Sequence, residues 1–152
     1  MSTELQTHLS KQMGEAQTKY TYFLLAVAAS AIALVVKRTT GHSLNFNMIP
    51  LGLAVVCWAG SFFAGCQDRA YFSSTLYANL ALLKVQNGTH PGIPNSPEAI
   101  AAAAQGIRQA IEYNNDRLSF WGNLQFRLLI LGAACFLVWH IIEMIGVIPD
   151  TK

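Results

Sequence analysis

Charged side chains disappear from this chain in three long runs. The segments 20–36, 39–67 and 128–142 contain no Asp, Glu, Lys or Arg. An amphipathic helix of a water-soluble domain keeps a polar face opposite its apolar stripe. These runs have no such face, so they read as helices surrounded by lipid. A hydrocarbon layer of about 30 Å needs roughly 20 helical residues. The candidate spans are therefore 20–36, 48–66 and 128–148. Pro50 falls in the first turn of the second, where a missing N–H is tolerated, and Pro149 stops the third. Tyr20, Tyr22, Phe46, Trp121 and Phe126 lie where interfacial aromatics are expected.

The segments outside the spans also show helical periodicity. In 1–19, Leu5, Leu9, Met13 and Ala16 predict an amphipathic helix running into the first span. Glu4 and Glu15 make this leader unlike the short basic region of a cleaved signal, so the first span is expected to be retained. Between the second and third spans, the turn formers of Asn87–Ser96 (NGTHPGIPNS) predict a tight break. Ser96-Pro97-Glu98 follows as a helix start, with a cap, a proline in the first turn and an acid near the N-terminal dipole. Ile100, Ala104, Ile107, Ile111, Asn114, Leu118, Trp121 and Gln125 then form a seam with steps of four and three. Before the break, Phe72, Leu76, Asn79 or Leu80, and Leu83 form a similar stripe continuing the second span.

The predicted fold is an all-α integral membrane protein with three transmembrane helices. A cytoplasmic helical hairpin, 67–127 with its turn at 87–96, continues helices 2 and 3. At 1.5 Å per residue its longer arm would extend roughly 45 Å. A short outer loop, 37–47, joins the first two spans, and 149–152 is a tail. Polar residues in a coiled-coil-like seam often set register or oligomeric state. Ile107, Ile111, Asn114 and Leu118 are thus expected to form contacts between subunits, with a bundle inside one chain as the alternative. Within the membrane, Gly52, Val56, Gly60 and Ala64 recur every four residues on the second span, as do Ala26 with Ser30 and Ala29 with Ala33 on the first. That spacing is expected for close helix packing within one chain, with a subunit interface as the alternative.

Composition reinforces this class. Hydrophobic residues make up 53% of the chain and DEKR only 12%, against about 25% charged in a typical soluble domain. The net charge of +2, with both signs interspersed, gives no basic stripe for nucleic acid. Cys57, Cys66 and Cys135 lie in or beside apolar spans and read as small apolar packing residues rather than a disulfide framework. Lys11, Lys19, Arg69, Lys84, Arg108, Arg117 and Arg127 would share one side of the membrane, against Lys37, Arg38 and Lys152 on the other. That bias predicts a cytoplasmic N-terminus in a cell membrane; the expected bacterial inner membrane follows from the effector role considered below, not from the charges.

The informative polar pair is His140 with Glu143, on one face of the third span. Ionisable groups at membrane depth pair with one another or face water. Glu143 is expected either to pair with Lys37 or Arg38, or to join His140 in a ring around an oligomeric pore. Arg127 reads as a snorkelling anchor and Arg108–Glu112 as an exposed helical pair. His8, His42 and His90 are scattered away from metal-ligand spacing. Asn87-Gly88-Thr89 matches a glycosylation acceptor but falls in the expected cytoplasmic turn. No nucleotide, nucleophile or metalloprotease motif occurs, so neither an enzyme, a cofactor nor a metal is expected. The expected function is a small homo-oligomeric assembly that forms or gates a pore, as a membrane-permeabilising stress or defence effector would. The alternative is a non-conducting membrane anchor or scaffold whose cytoplasmic helices dock a partner protein.

Overall fold

The computed structural model describes residues 2–40, 46–94 and 96–146. They form α1 (Ser2–Thr39), a single 3₁₀ turn (Phe46–Met48), α2 (Ile49–Gln86) and α3 (Pro97–Gly146), with no strand among the described residues. All three helices are long and apolar enough to cross a membrane. Residues 41–45 of the expected outer loop, the last expected residues of the third span (147–148) and the tail lie outside the described residues. So do the side chains of Leu5, Leu9 and Met13 from the expected N-terminal stripe; its fourth member, Ala16, is exposed.

Local chemistry explains the helix ends. Lys37 and Arg38 occupy the last turn of α1, where cations complement the carbonyl end of the helix dipole. At the end of α2, Gly88 adopts φ 65°. Its N–H reaches the Val85 carbonyl at 3.0 Å, and Thr89 N–H reaches that of Lys84 at 2.9 Å. This is the left-handed glycine stop that satisfies otherwise orphaned carbonyls. At the start of α3, Ser96 Oγ accepts from Ala99 N–H at 3.3 Å, with Pro97 leading the helix and Glu98 in its first turn. The turn and the cap fall where the sequence places them.

The chain divides into two compact units, residues 1–65 with 123–152, and 66–122. In the first unit three helices meet around one core. Val35 of α1, Leu51, Ala54 and Trp58 of α2, and Trp139 of α3 are buried, with Ala31, Ile32, Leu129 and Phe136 packed against them. Small residues bring α2 and α3 together. A β-carbon on Gly132 would stand 2.5 Å from Trp58 Nε1 and 3.1 Å from the Ala54 carbonyl oxygen, and one on Gly60 would stand 3.2 Å from Leu128 Cδ1.

In the second unit, residues 66–86 of α2 lie antiparallel to residues 97–122 of α3. Val85 and Ile100 line one small cleft, Asn114 Nδ2 donates to Ser74 Oγ at 3.0 Å, and Gly122 stands close beside Asp68. The face that α2 turns inward differs from the expected stripe. Thr75, Ala78 and Leu82 are half-buried and Val85 is buried. Leu76, Leu80 and Leu83 are at least half exposed. Small or branched residues at 75, 78 and 85 share that inward face with Leu82.

Candidate functional site

A half-enclosed cavity of about 310 Å³ lies in the first unit. Helix α1 contributes Leu34, Arg38 and Thr39, and Met48 closes one side. From α3 come Phe136, Trp139, His140 and Glu143, at successive steps of three, one and three that keep them on one helix face. The wall is mainly apolar, with a guanidinium, an imidazole and a carboxylate at its edge. Phe136 stacks parallel to the His140 ring, with centroids 6.5 Å apart, and also lies 5.6 Å from the Trp139 ring. The Trp139 side chain is buried, and its indole Nε1 has no hydrogen-bond partner.

Arg38, His140 and Glu143 are therefore brought to one cavity, but not into an ion pair. Among the described residues, no Arg38 or Lys37 nitrogen lies within 4.0 Å of the Glu143 carboxylate. Lys37 is exposed and does not line the cavity. The direct Glu143 pairing considered from the sequence is thus not made in this structure. The side chains are long and solvent-accessible here, and nothing buried forces them together.

Other polar groups of the first unit turn inward. Ser61 Oγ donates to the Gln125 carbonyl at 2.8 Å, and Trp58 Nε1 to that of Leu129 at 3.3 Å. Thr21 Oγ1 donates to the Gln17 carbonyl one turn earlier. The Gln125 amide is itself buried against Gly65, where a β-carbon would stand 2.5 Å from Nε2. These bonds hold polar atoms within the helix cluster.

The helix-packing candidates separate into two groups. Ala64 is fully buried and Gly60 is half-buried against Leu128. Gly52, Ala26 and Ser30 are exposed, with open space where a Gly52 side chain would go. The inward face of α1 instead carries Thr21, Leu24, Ala28 and Val35. Ile107, Ile111, Asn114 and Leu118 are half-buried in the second unit, and the Asn114 amide is occupied within the chain by Ser74. No family model matches this chain, and no curated protein or solved structure matches it either.

Two residues with large structural roles, Gly65 and Gly132, escape a search for four-residue repeats. The usable signal was complementarity between helices: each glycine faces a bulky partner, Gln125 or Trp58. The three cysteines remain free thiols, buried at Cys57, exposed at Cys66 and half-buried at Cys135. No group of three or more His, Cys, Asp or Glu suited to a metal ion occurs among the described residues.

Proposed function

We propose that this chain is an integral membrane protein that crosses a bilayer three times and serves as a non-conducting anchor. In this reading its helical hairpin, 67–127, is held on the cytoplasmic side to dock a partner protein. The observation that carries it is the division of polarity in the first unit. Ser61, Trp58 and Gln125 direct their polar groups into helix–helix contacts. Outward positions along α3, including Ile130, Leu131, Leu137, Val138 and Ile141, are apolar and at least half exposed. Of the most apolar 18-residue window in each helix, only 22%, 39% and 17% is buried by protein. Lipid is the solvent that such a surface suits, and it supplies no polar lining for a conduit.

The positive-residue bias described above favours a cytoplasmic N-terminus and hairpin. The exposed row Leu76, Tyr77, Leu80 and Leu83 offers an apolar surface for a docked helix or a second copy of the chain.

A homo-oligomeric pore is the second reading. The observation favouring it is that Glu143 and His140 are exposed and that Glu143 has no ion pair among the described residues. Several copies could arrange such pairs as a ring attracting cations. Purified protein in a planar bilayer separates the two. The anchor predicts no unitary conductance at any protein density. Discrete steps whose cation conductance falls in Glu143→Gln would replace the anchor with the pore.

A further inference from the structure

We propose that the α1/α3 cavity is a binding site for a zwitterionic phospholipid with a primary ammonium headgroup, of the phosphatidylethanolamine class. The inference rests on the reading that the first unit lies in a bilayer. It accounts for three groups without assigned partners in the chain. Arg38 presents a cation, Glu143 presents an anion, and neither satisfies the other. Trp139, buried in the same wall, carries an indole N–H with no acceptor.

Their chemistry selects the ligand. A guanidinium recognises phosphate through paired, charge-assisted hydrogen bonds. A carboxylate recognises an ammonium that still has N–H donors. Phosphatidylethanolamine joins that phosphate to that ammonium through a short ethyl link, so one headgroup can satisfy Arg38 and Glu143 together. A choline headgroup lacks the N–H donors, and a glycerol headgroup lacks the cation. Leu34, Met48 and Phe136 provide the apolar wall expected beside the upper part of an acyl chain. Arg38 falls in the last turn of α1 and Glu143 near the end of α3, where headgroups rather than chain methyls would meet a spanning helix. A free water-soluble phosphoethanolamine would gain little from that apolar wall, so the occupant is the lipid.

The test is native mass spectrometry of the full chain released from nanodiscs containing ethanolamine, choline and glycerol phospholipids in equal amounts, with matched acyl chains. The expected result is retention of the ethanolamine lipid over either competitor by about tenfold, the scale of one charge-assisted contact. Glu143→Gln should remove most of that preference, whereas Arg38→Gln should lower retention of all three lipids, which share the phosphate. Lys37→Gln should preserve it, because Lys37 is exposed and outside the cavity wall. Equal retention of the three lipids would overturn the proposal, as would an unchanged preference in Glu143→Gln or an equal loss in Lys37→Gln. Retention of the anionic glycerol lipid above the others would show a simple cation site and overturn it too. A chain that never enters the nanodisc defeats the membrane reading itself; one that enters without selecting a lipid defeats only this site.

Discussion

Substituting leucine for Gly132 is expected to lower the stability of the helix cluster by about 3 kcal/mol, at the upper end of ordinary overpacking costs. Even the first carbon of a side chain would meet the Trp58 ring edge at 2.5 Å and the Ala54 carbonyl at 3.1 Å. The indole can turn away only by giving up its bond to the Leu129 carbonyl and its contact with Phe136, whose ring centroid lies 5.8 Å away. The carbonyl belongs to the α2 backbone and can move only if the helix moves. Gly132→Leu should therefore separate α2 from α3 and lower the unfolding midpoint in detergent micelles, read by circular dichroism. Gly52→Leu is the control: open space surrounds that position, so the change should stay within about 0.5 kcal/mol or stabilise slightly through helix propensity. Trp58→Ala, itself destabilising, should reduce the additional cost of Gly132→Leu by vacating the contested volume. Equal stability for wild type and Gly132→Leu would show that the two helices do not pack at this contact.

Val138→Arg should produce the other large effect, and for a reason specific to lipid. Val138 is half exposed on the outward side of α3. On a protein surface facing water, an exposed substitution of this kind changes stability by no more than about 0.5 kcal/mol. Near the centre of a transmembrane helix, an arginine opposes insertion by about 2.5–3.5 kcal/mol. The variant should consequently show a sharp fall in the membrane-integrated fraction, measured by fractionating cells that express wild type and variant at matched levels. Unchanged integration would place Val138 away from the hydrocarbon layer. Wild-type folding in detergent by the variant would separate an insertion defect from a folding defect.

The two experiments probe different links between sequence and architecture, and those links were unequally legible. The helical class was plain because 20–36, 39–67 and 128–142 lack charge over runs too long for a helix that keeps a charged face. The break over 87–96 and the start at Ser96 were equally readable, since both depend on chemistry within a few residues. Continuity was readable too: α2 and α3 run unbroken through the expected span boundaries at 66 and 128.

The packing faces were harder to read. In a helix that is apolar all round, hydrophobic periodicity carries little directional information. Gly52, Ala26 and Ser30 satisfy the small-residue spacing yet stand exposed, while Gly65 and Gly132 make the close approaches. What selects between them is the residue on the facing helix, a long-range fact absent from local spacing. The α2 leucines show the same effect. Leu76, Leu80 and Leu83 form an apolar row, but α3 is met by the smaller face through Ser74 and Val85. At the cavity, the sequence suggested Arg38, His140 and Glu143 by helical depth alone. It did not reveal that Leu34, Met48, Phe136 and Trp139 would wall them into one volume.

The anchor role and the lipid site both require the three apolar helices to reside in a bilayer. Alkaline carbonate extraction of membranes from expressing cells tests this most directly, because it strips proteins held by surface contacts and leaves those embedded in the hydrocarbon layer. The chain is expected to stay in the carbonate-washed pellet and to enter solution only when detergent dissolves the lipid. Release into the carbonate supernatant as a folded helical protein would contradict that placement.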